Sequence, residues 1–290
     1  MPSVIDYMPG GQTLQDFHDS NALVRAIRGP IGGGKTVACV LEIFRMACLQ
    51  KEHSDGVRYT RYAIIRNTMP DLKSTTIKTW HDWFKPDVGR FTQDSPITHH
   101  LKFGLGDGTK VDCEVIFLAL DHENDLRKLM SLEVTGAFFN EARFIPGFFI
   151  RNMVGRIGRY PGNKLGGTTR ASIIMDTNAP DTDSWWYKAF EEDKPQDWEQ
   201  FVQPSGLDEN AENLHNLPGG RQYYINYANS NNADDIKVYV HAQYGFVRHG
   251  KPVYPEYYDT HHTSQQSLSA IPGLPIIIGV DFGLTPAAVF

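Results

Sequence analysis

The sequence predicts an α/β fold, a mostly parallel sheet with helices on both faces, followed by a small linker subdomain. Three observations predict it. Short apolar runs alternate with helical patterns through the first half of the chain. A glycine-rich stretch stands between one such run and a helical pattern. The composition shifts after about residue 180, where acids, Trp185, Trp186 and Trp198 replace the alternation.

The elements follow in order. Val24-Arg25-Ala26-Ile27 reads as a strand. Residues 36–50 read as a helix, with Val37, Val40, Leu41, Phe44 and Cys48 at helical spacing. Tyr62-Ala63-Ile64-Ile65 is a second strand, residues 113–120 a third, 136–139 a fourth and 171–175 a fifth. Leu217-Pro218-Gly219-Gly220 signals a turn, and residues 222–247 read as helical and aromatic. A loop carrying His261-His262 leads to Pro272-Gly273, and an apolar strand, 276–280, ends at Asp281. The resulting division is 1–205 for the sheet domain, 206–270 for the linker subdomain and 271–290 for the start of another domain.

At 290 residues the chain can bury a large core without staples. Cys39, Cys48 and Cys113 are odd in number and form no paired motif, so they read as reduced core thiols in a cytosolic compartment. No apolar run approaches the ~20 residues of a membrane helix, and the first residues do not resemble a secretion signal. A net charge of −6 excludes coating of nucleic acid through bulk charge; contact must come from local basic patches.

Gly29-Pro30-Ile31-Gly32-Gly33-Gly34-Lys35-Thr36 matches the phosphate-loop pattern G-x-x-x-x-G-K-[ST] in full, in the strand-to-helix context the pattern requires. Gly29, Gly32, Gly33 and Gly34 let backbone N–H groups curl around phosphate oxygens. Lys35 reaches the β- and γ-phosphates, and Thr36 offers a hydroxyl to Mg²⁺. The motif therefore points to ATP with Mg²⁺ as ligands. Such a site needs a carboxylate at a strand's carboxyl end. Ala137-Phe138-Phe139-Asn140-Glu141 supplies one: Glu141 polarises the attacking water, and Asn140 stands where Asp is commoner and can bond a Mg²⁺-bound water. The plainer alternative makes Glu141 the first-turn acid of the next helix. Residues 143–170 hold arginines and Lys164 but no acid. Arg156 and Arg159 are candidates to contact ATP, within the chain or from a neighbouring subunit, or DNA; the alternative is a solvated basic surface. Thr177 and Asn178 follow a strand and can sense the γ-phosphate, or simply form a turn before Pro180.

Five segments then fall in a telling order: Gln15-Asp16-Phe17-His18-Asp19-Ser20; Arg66-Asn67-Thr68 with Leu72 and Ser74; Asn140-Glu141-Ala142; Thr177-Asn178-Ala179-Pro180; and Gly245-Phe246 through Gly250-Lys251-Pro252-Val253-Tyr254-Pro255-Glu256. With the phosphate loop, this ordered set resembles the large subunit of phage terminases, the motors that package DNA into proheads. The resemblance covers nearly the whole chain. It implies a P-loop ATPase of the additional-strand, RecA-like class, with the coupling strand between the loop strand and the acidic strand. It implies that Gln15 reads adenine and that Thr177 and Asn178 couple hydrolysis to movement. It implies a homo-oligomeric ring on a prohead portal protein, a terminase small subunit, double-stranded DNA as track, and the cytoplasm of an infected bacterial host. It also implies a ribonuclease-H-like nuclease domain, of which Asp281 is the first metal-binding carboxylate. Two-metal cleavage needs several carboxylates, and no acid follows Asp281, so this chain is expected to lack nuclease activity. Two competing readings are a P-loop kinase and a nucleotide-gated assembly module without turnover.

Overall fold

Alternation in the apolar runs sorts side chains onto two faces of a sheet, and helices cover both. The structure is a computed structural model; it describes residues 5–245 and, beyond them, 262, 269, 272–273, 275, 278–281 and 287–289. Helix α1 (Gln12–Asp19) precedes strand β1 (Val24–Arg28), the loop and helix α2 (Lys35–Leu49). Then come β2 (Val57–Arg66), β3 (Arg90–Thr92), β4 (Ile97–Gly104), β5 (Lys110–Ala119), β6 (Gly136–Phe139), β7 (Ser172–Thr177) and β8 (Trp198–Val202). They form one 8-stranded sheet in the order β3-β4-β5-β2-β6-β7-β1-β8. The strands from β5 to β8 in that order run parallel, and β3 and β4 are antiparallel at one edge. The expected parallel sheet is present, and β7 lies between the loop strand β1 and the acidic strand β6.

Period-two alternation is visible strand by strand. Ile27, Tyr62, Ile64, Phe138 and Ile174 pack on the face covered by α2 and by the helix Ile77–Trp83. Their neighbours Ala26, Ala63, Ile65, Phe139 and Met175 pack on the opposite face, with Phe149, Met153 and Trp186. Continuing the alternation puts Arg66, Asn140 and Asp176 on the α2 side.

Three strands of this sheet were not read from the sequence. In β4 the alternation is masked because His99 takes an inward position, where it accepts from Trp80 Nε1 at 2.8 Å and meets the Val88 carbonyl. Strand β8 sits inside the acidic tract, half-exposed at the sheet edge, in parallel register with β1. Strand β3 spans only Arg90–Thr92.

Residues 206–247, expected as part of a linker subdomain, fall in the same compact unit as the sheet, Met1–Val247. They include the helices Gln222–Ser230 and Ala233–Tyr239. The second unit, Arg248–Phe290, contains β9 (Gly279–Asp281) paired antiparallel with β10 (Ala287–Val289). The strand expected before Asp281 is thus present in its described part. Segment 250–256, His261, Ile276 and Ile277 lie outside the described residues. Among the described residues, no helix is long and apolar enough to cross a membrane.

Candidate nucleotide site

Parallel strands place their carboxyl ends on one sheet edge, where open α/β sheets bind ligands. Here that edge carries the turn from β1 into α2, Arg66 ending β2, Asn140 and Glu141 after β6, and Asp176 and Thr177 ending β7. The loop turns twice through left-handed backbone, at Gly32 (φ 69°) and Gly34 (φ 79°), which glycine adopts without steric cost.

Its carbonyls are tied down one after another. The Gly29 carbonyl accepts from Lys35 Nζ (3.1 Å) and Asn178 Nδ2 (2.8 Å), and that of Pro30 accepts from Lys35 Nζ (2.6 Å). Those of Ile31, Gly32 and Gly33 accept from Tyr224 Oη, Asn213 Nδ2 and Gln203 Nε2, each at 2.8 Å. The Gly34 carbonyl starts α2 by accepting from the Ala38 N–H. The opposite side of the loop stays available. No acceptor among the described residues meets the N–H groups of Gly32 or Gly34, and the first-turn N–H groups of α2 have no intrahelical acceptor. A loop with its carbonyls held and the N–H groups of Gly32, Gly34 and the first helical turn free is an anion cradle.

Around it converge the other groups. Thr36 Oγ1 donates to Asp176 Oδ2. Asn140 Nδ2 donates to both Asp176 oxygens (2.9 and 3.1 Å), and the Glu141 N–H donates to Asp176 Oδ1 (2.8 Å). Asn140 Oδ1 accepts from Arg66 (2.8 Å) and Thr76 (2.7 Å). Glu141 adopts left-handed backbone (φ 50°), an uncommon conformation for a residue with a side chain, of the kind found at functional sites. Its Oε2 is enclosed and receives no hydrogen bond; Arg143 Nε lies 3.9 Å away. Burial pushes the Glu141 carboxyl up and the Asp176 charge pushes the same way, while Lys35, Arg143 and Arg66 pull it back. Burial pushes the Lys35 ammonium down, against the pull of Glu141 and Asp176.

The structure therefore gathers Gly29, Gly32, Gly33, Gly34, Lys35, Thr36, Asn140, Glu141, Thr177 and Asn178. Thr177 contributes backbone, its carbonyl accepting from the Gly29 N–H at 3.3 Å. Three expectations change. Gln15 is not brought to the loop: α1 buries Leu14, Phe17 and His18, which turns Gln15 outward to donate to Asp19 at 2.9 Å. Arg156 and Arg159 lie at the opposite end of β6. The Arg156 carbonyl accepts from the Val134 N–H, and the Arg159 N–H donates to the Val134 carbonyl; at roughly 3.3 Å per residue that is about 20 Å from Glu141. The Asn140 oxygen is already engaged by two donors. The side chain of Asp281 lies outside the described residues. Sequence reasoning missed Asp176, Arg66 and Arg143, as well as Gln203, Asn213 and Tyr224. Strand parity carried one step past Ile64 and Ile174 finds the first two.

The donor set suits Mg²⁺ bound together with a nucleotide. Among the described residues no three His, Cys, Asp or Glu side chains gather into a metal cage. Mg²⁺ usually takes one or two carboxylates plus phosphates and water, and here the Thr36 hydroxyl and the Glu141 carboxylate, one of its oxygens orphaned, line the cradle, with the Asp176 carboxylate bonded to Thr36 behind them.

Fold and site together define a P-loop ATPase fold of the additional-strand class. Among known proteins no family model and no curated protein matches, but solved structures do. The large terminase of the thermophilic bacteriophage D6E aligns with a TM-score of 0.60 at 13% identity, covering 95% of this chain and 63% of that one. That terminase has also been solved in complex with ADP and with ATP-gamma-S. The large terminase ATPase domain of Thermus phage P74-26 aligns with a TM-score of 0.51 at 13% identity, covering 82% of this chain and 94% of that one. This chain thus spans less than two thirds of the D6E terminase. Its fold is that of the phage large terminase ATPase domain.

Proposed function

We propose that this chain binds ATP with Mg²⁺ on residues 29–36, hydrolyses it with Glu141, and is the ATPase motor of viral DNA packaging, driving double-stranded DNA into a prohead. The observation that carries the reading is the loop itself, with its carbonyls tied and the N–H groups of Gly32, Gly34 and the first helical turn free, facing Glu141, whose Oε2 receives no hydrogen bond. Free N–H groups and Lys35 bind the phosphates. Thr36 is the loop's ligand for Mg²⁺, which when bound neutralises charge developing on the phosphates. Glu141 takes the proton of, or orients, the attacking water; a carboxyl pushed upward by burial is a stronger base for that task. Asn178, bonded to the Gly29 carbonyl, senses the state of the loop. The DNA-packaging role draws support from the likeness to the D6E and P74-26 large terminases. Its partners are a portal protein, a terminase small subunit and further copies of this chain in a ring.

The test is steady-state ATP hydrolysis by the purified chain with Mg²⁺. Glu141→Gln is expected to keep ATP binding and lose turnover by about 10²-fold or more, the scale of a lost general base. Lys35→Ala is expected to abolish turnover. Undiminished hydrolysis in either variant refutes the assignment. Binding without turnover, even in the assembled ring, selects the nucleotide-gated module instead, a reading that leans on Asn140 in place of an acid.

A further inference from the structure

We propose that Asp176, on the coupling strand β7, is the residue that positions the nucleotide's Mg²⁺ through Thr36, supplying the negative charge that Asn140 on the acidic strand lacks. The proposal deepens the ATP reading above and rests on it.

Residue 140 follows the last residue of β6, where an acid would hold the metal. Its amide cannot do so here. Asn140 Oδ1 accepts from Arg66 and Thr76, and Nδ2 donates to Asp176 at 2.9 and 3.1 Å and reaches Thr36 Oγ1 at 3.4 Å. Exchanging the amide oxygen and nitrogen would set an NH₂ against the Arg66 guanidinium and an oxygen against a carboxylate, so chemistry fixes the orientation. Position 140 therefore turns donors, not acceptors, toward Thr36.

Asp176 has the complementary arrangement. It is fully buried, and its three side-chain partners are all donors: Thr36 Oγ1, Asn140 Nδ2 and the Glu141 N–H. A buried carboxylate is costly unless hydrogen-bonded, and this one is. By accepting the Thr36 hydrogen bond it fixes the hydroxyl's proton, and with Asn140 Nδ2 at 3.4 Å on one side it leaves the remaining lone pair for a cation. An acid at 140 as well would press two carboxylates together. The pair carries one charge, moved one strand across the sheet and returned to the same face by β7 parity.

The experiment measures the anisotropy of N-methylanthraniloyl-ADP on the full chain, in Mg²⁺ and in EDTA, with thermal melts as a check of folding. In the wild type Mg²⁺ tightens binding. Asp176→Asn is expected to lose about 10–100-fold of that tightening, the usual cost of removing a partner that orients a metal ligand, with affinity in EDTA unchanged. The swapped pair Asn140→Asp/Asp176→Asn, which keeps the charge and reverses the hydrogen bonds, is expected to regain it. A wild-type Mg²⁺ response in folded Asp176→Asn overturns the proposal, as does equal weakening in Mg²⁺ and EDTA. If Asp176→Asn does not fold, the swapped pair decides: a wild-type Mg²⁺ response supports the role, and a lost response or failure to fold overturns it. Wild-type protein that binds no nucleotide overturns the ATP reading and this role with it; binding with an unaltered Mg²⁺ response in Asp176→Asn overturns the role alone.

Discussion

Tyr224 reaches the Ile31 carbonyl from the helix Gln222–Ser230, nearly two hundred residues along the chain, yet it decides how the phosphate loop is held. Its ring is fully buried, so Tyr224→Phe keeps the packing and removes one donor. A carbonyl left without its partner costs about 1–3 kcal/mol. We expect Tyr224→Phe to lower stability in urea by that amount and to weaken ADP binding, because a loop free to turn its Ile31 carbonyl outward presents an oxygen to phosphate. Unchanged ADP affinity would mean that Asn213 and Gln203 hold the loop alone. At this scale the sequence was partly legible. The loop and Glu141 could be found because glycine, lysine and a strand-end acid are tied to one chemistry at fixed spacing. Asp176 and Arg66 could have been found by parity: each lies two residues beyond an isoleucine, Ile174 or Ile64, on the α2 face. Tyr224, Asn213 and Gln203 could not. Nothing local marks a side chain whose partner is a backbone carbonyl in a distant segment.

Between elements, the join of α1, β1 and α2 rests on Glu42. It lies fully buried on α2 and accepts from His18 (2.7 Å), Arg25 (2.7 Å) and Arg45 (2.7 and 3.0 Å). Burial alone would push its carboxyl up; hydrogen bonds from His18 and Arg45 and the Arg25 charge outweigh burial and hold it at about 2, below its ordinary 4.5. A carboxyl depressed by folding stabilises fully above its unfolded value and loses that contribution as pH falls toward the folded one. Between pH 4.5 and 2 this group is expected to remove about 3 kcal/mol of stability. Chemical denaturation across that window checks it: Glu42→Gln should be less stable at pH 7 and show a flatter decline in acid. An equally steep decline in the variant would move the acid sensitivity elsewhere. Elements were legible where apolar residues gather in short blocks, as in β1, β2, β5, β6 and β7. They were not where a polar residue is buried, as His99 is in β4, or where a strand lies at an edge in acidic sequence, as β8 does.

For the whole molecule the open question is what Arg156 and Arg159 do. They sit at the end of β6 remote from the loop, so a role at phosphate requires a second copy of the chain. Arg143 already stands beside Glu141 in each site and donates to Tyr239 Oη at 2.8 Å; it occupies the place an arginine from the same chain would fill. If subunits form a ring, the basic end of one sheet can face the loop end of the next, and an arginine crossing that boundary stabilises charge on the transferring phosphate. The expectation is that wild-type turnover per subunit rises with protein concentration. Arg156→Ala/Arg159→Ala should then fall to a small fraction of wild-type activity at every concentration, with ADP affinity retained. Mixing it with the inactive Glu141→Gln chain should restore turnover, because the second variant lends its arginines to sites that still hold Glu141. A double-arginine variant that keeps full ATPase activity and full DNA binding would make the surface merely solvated. Loss of DNA binding with normal ATPase activity would assign it to the track.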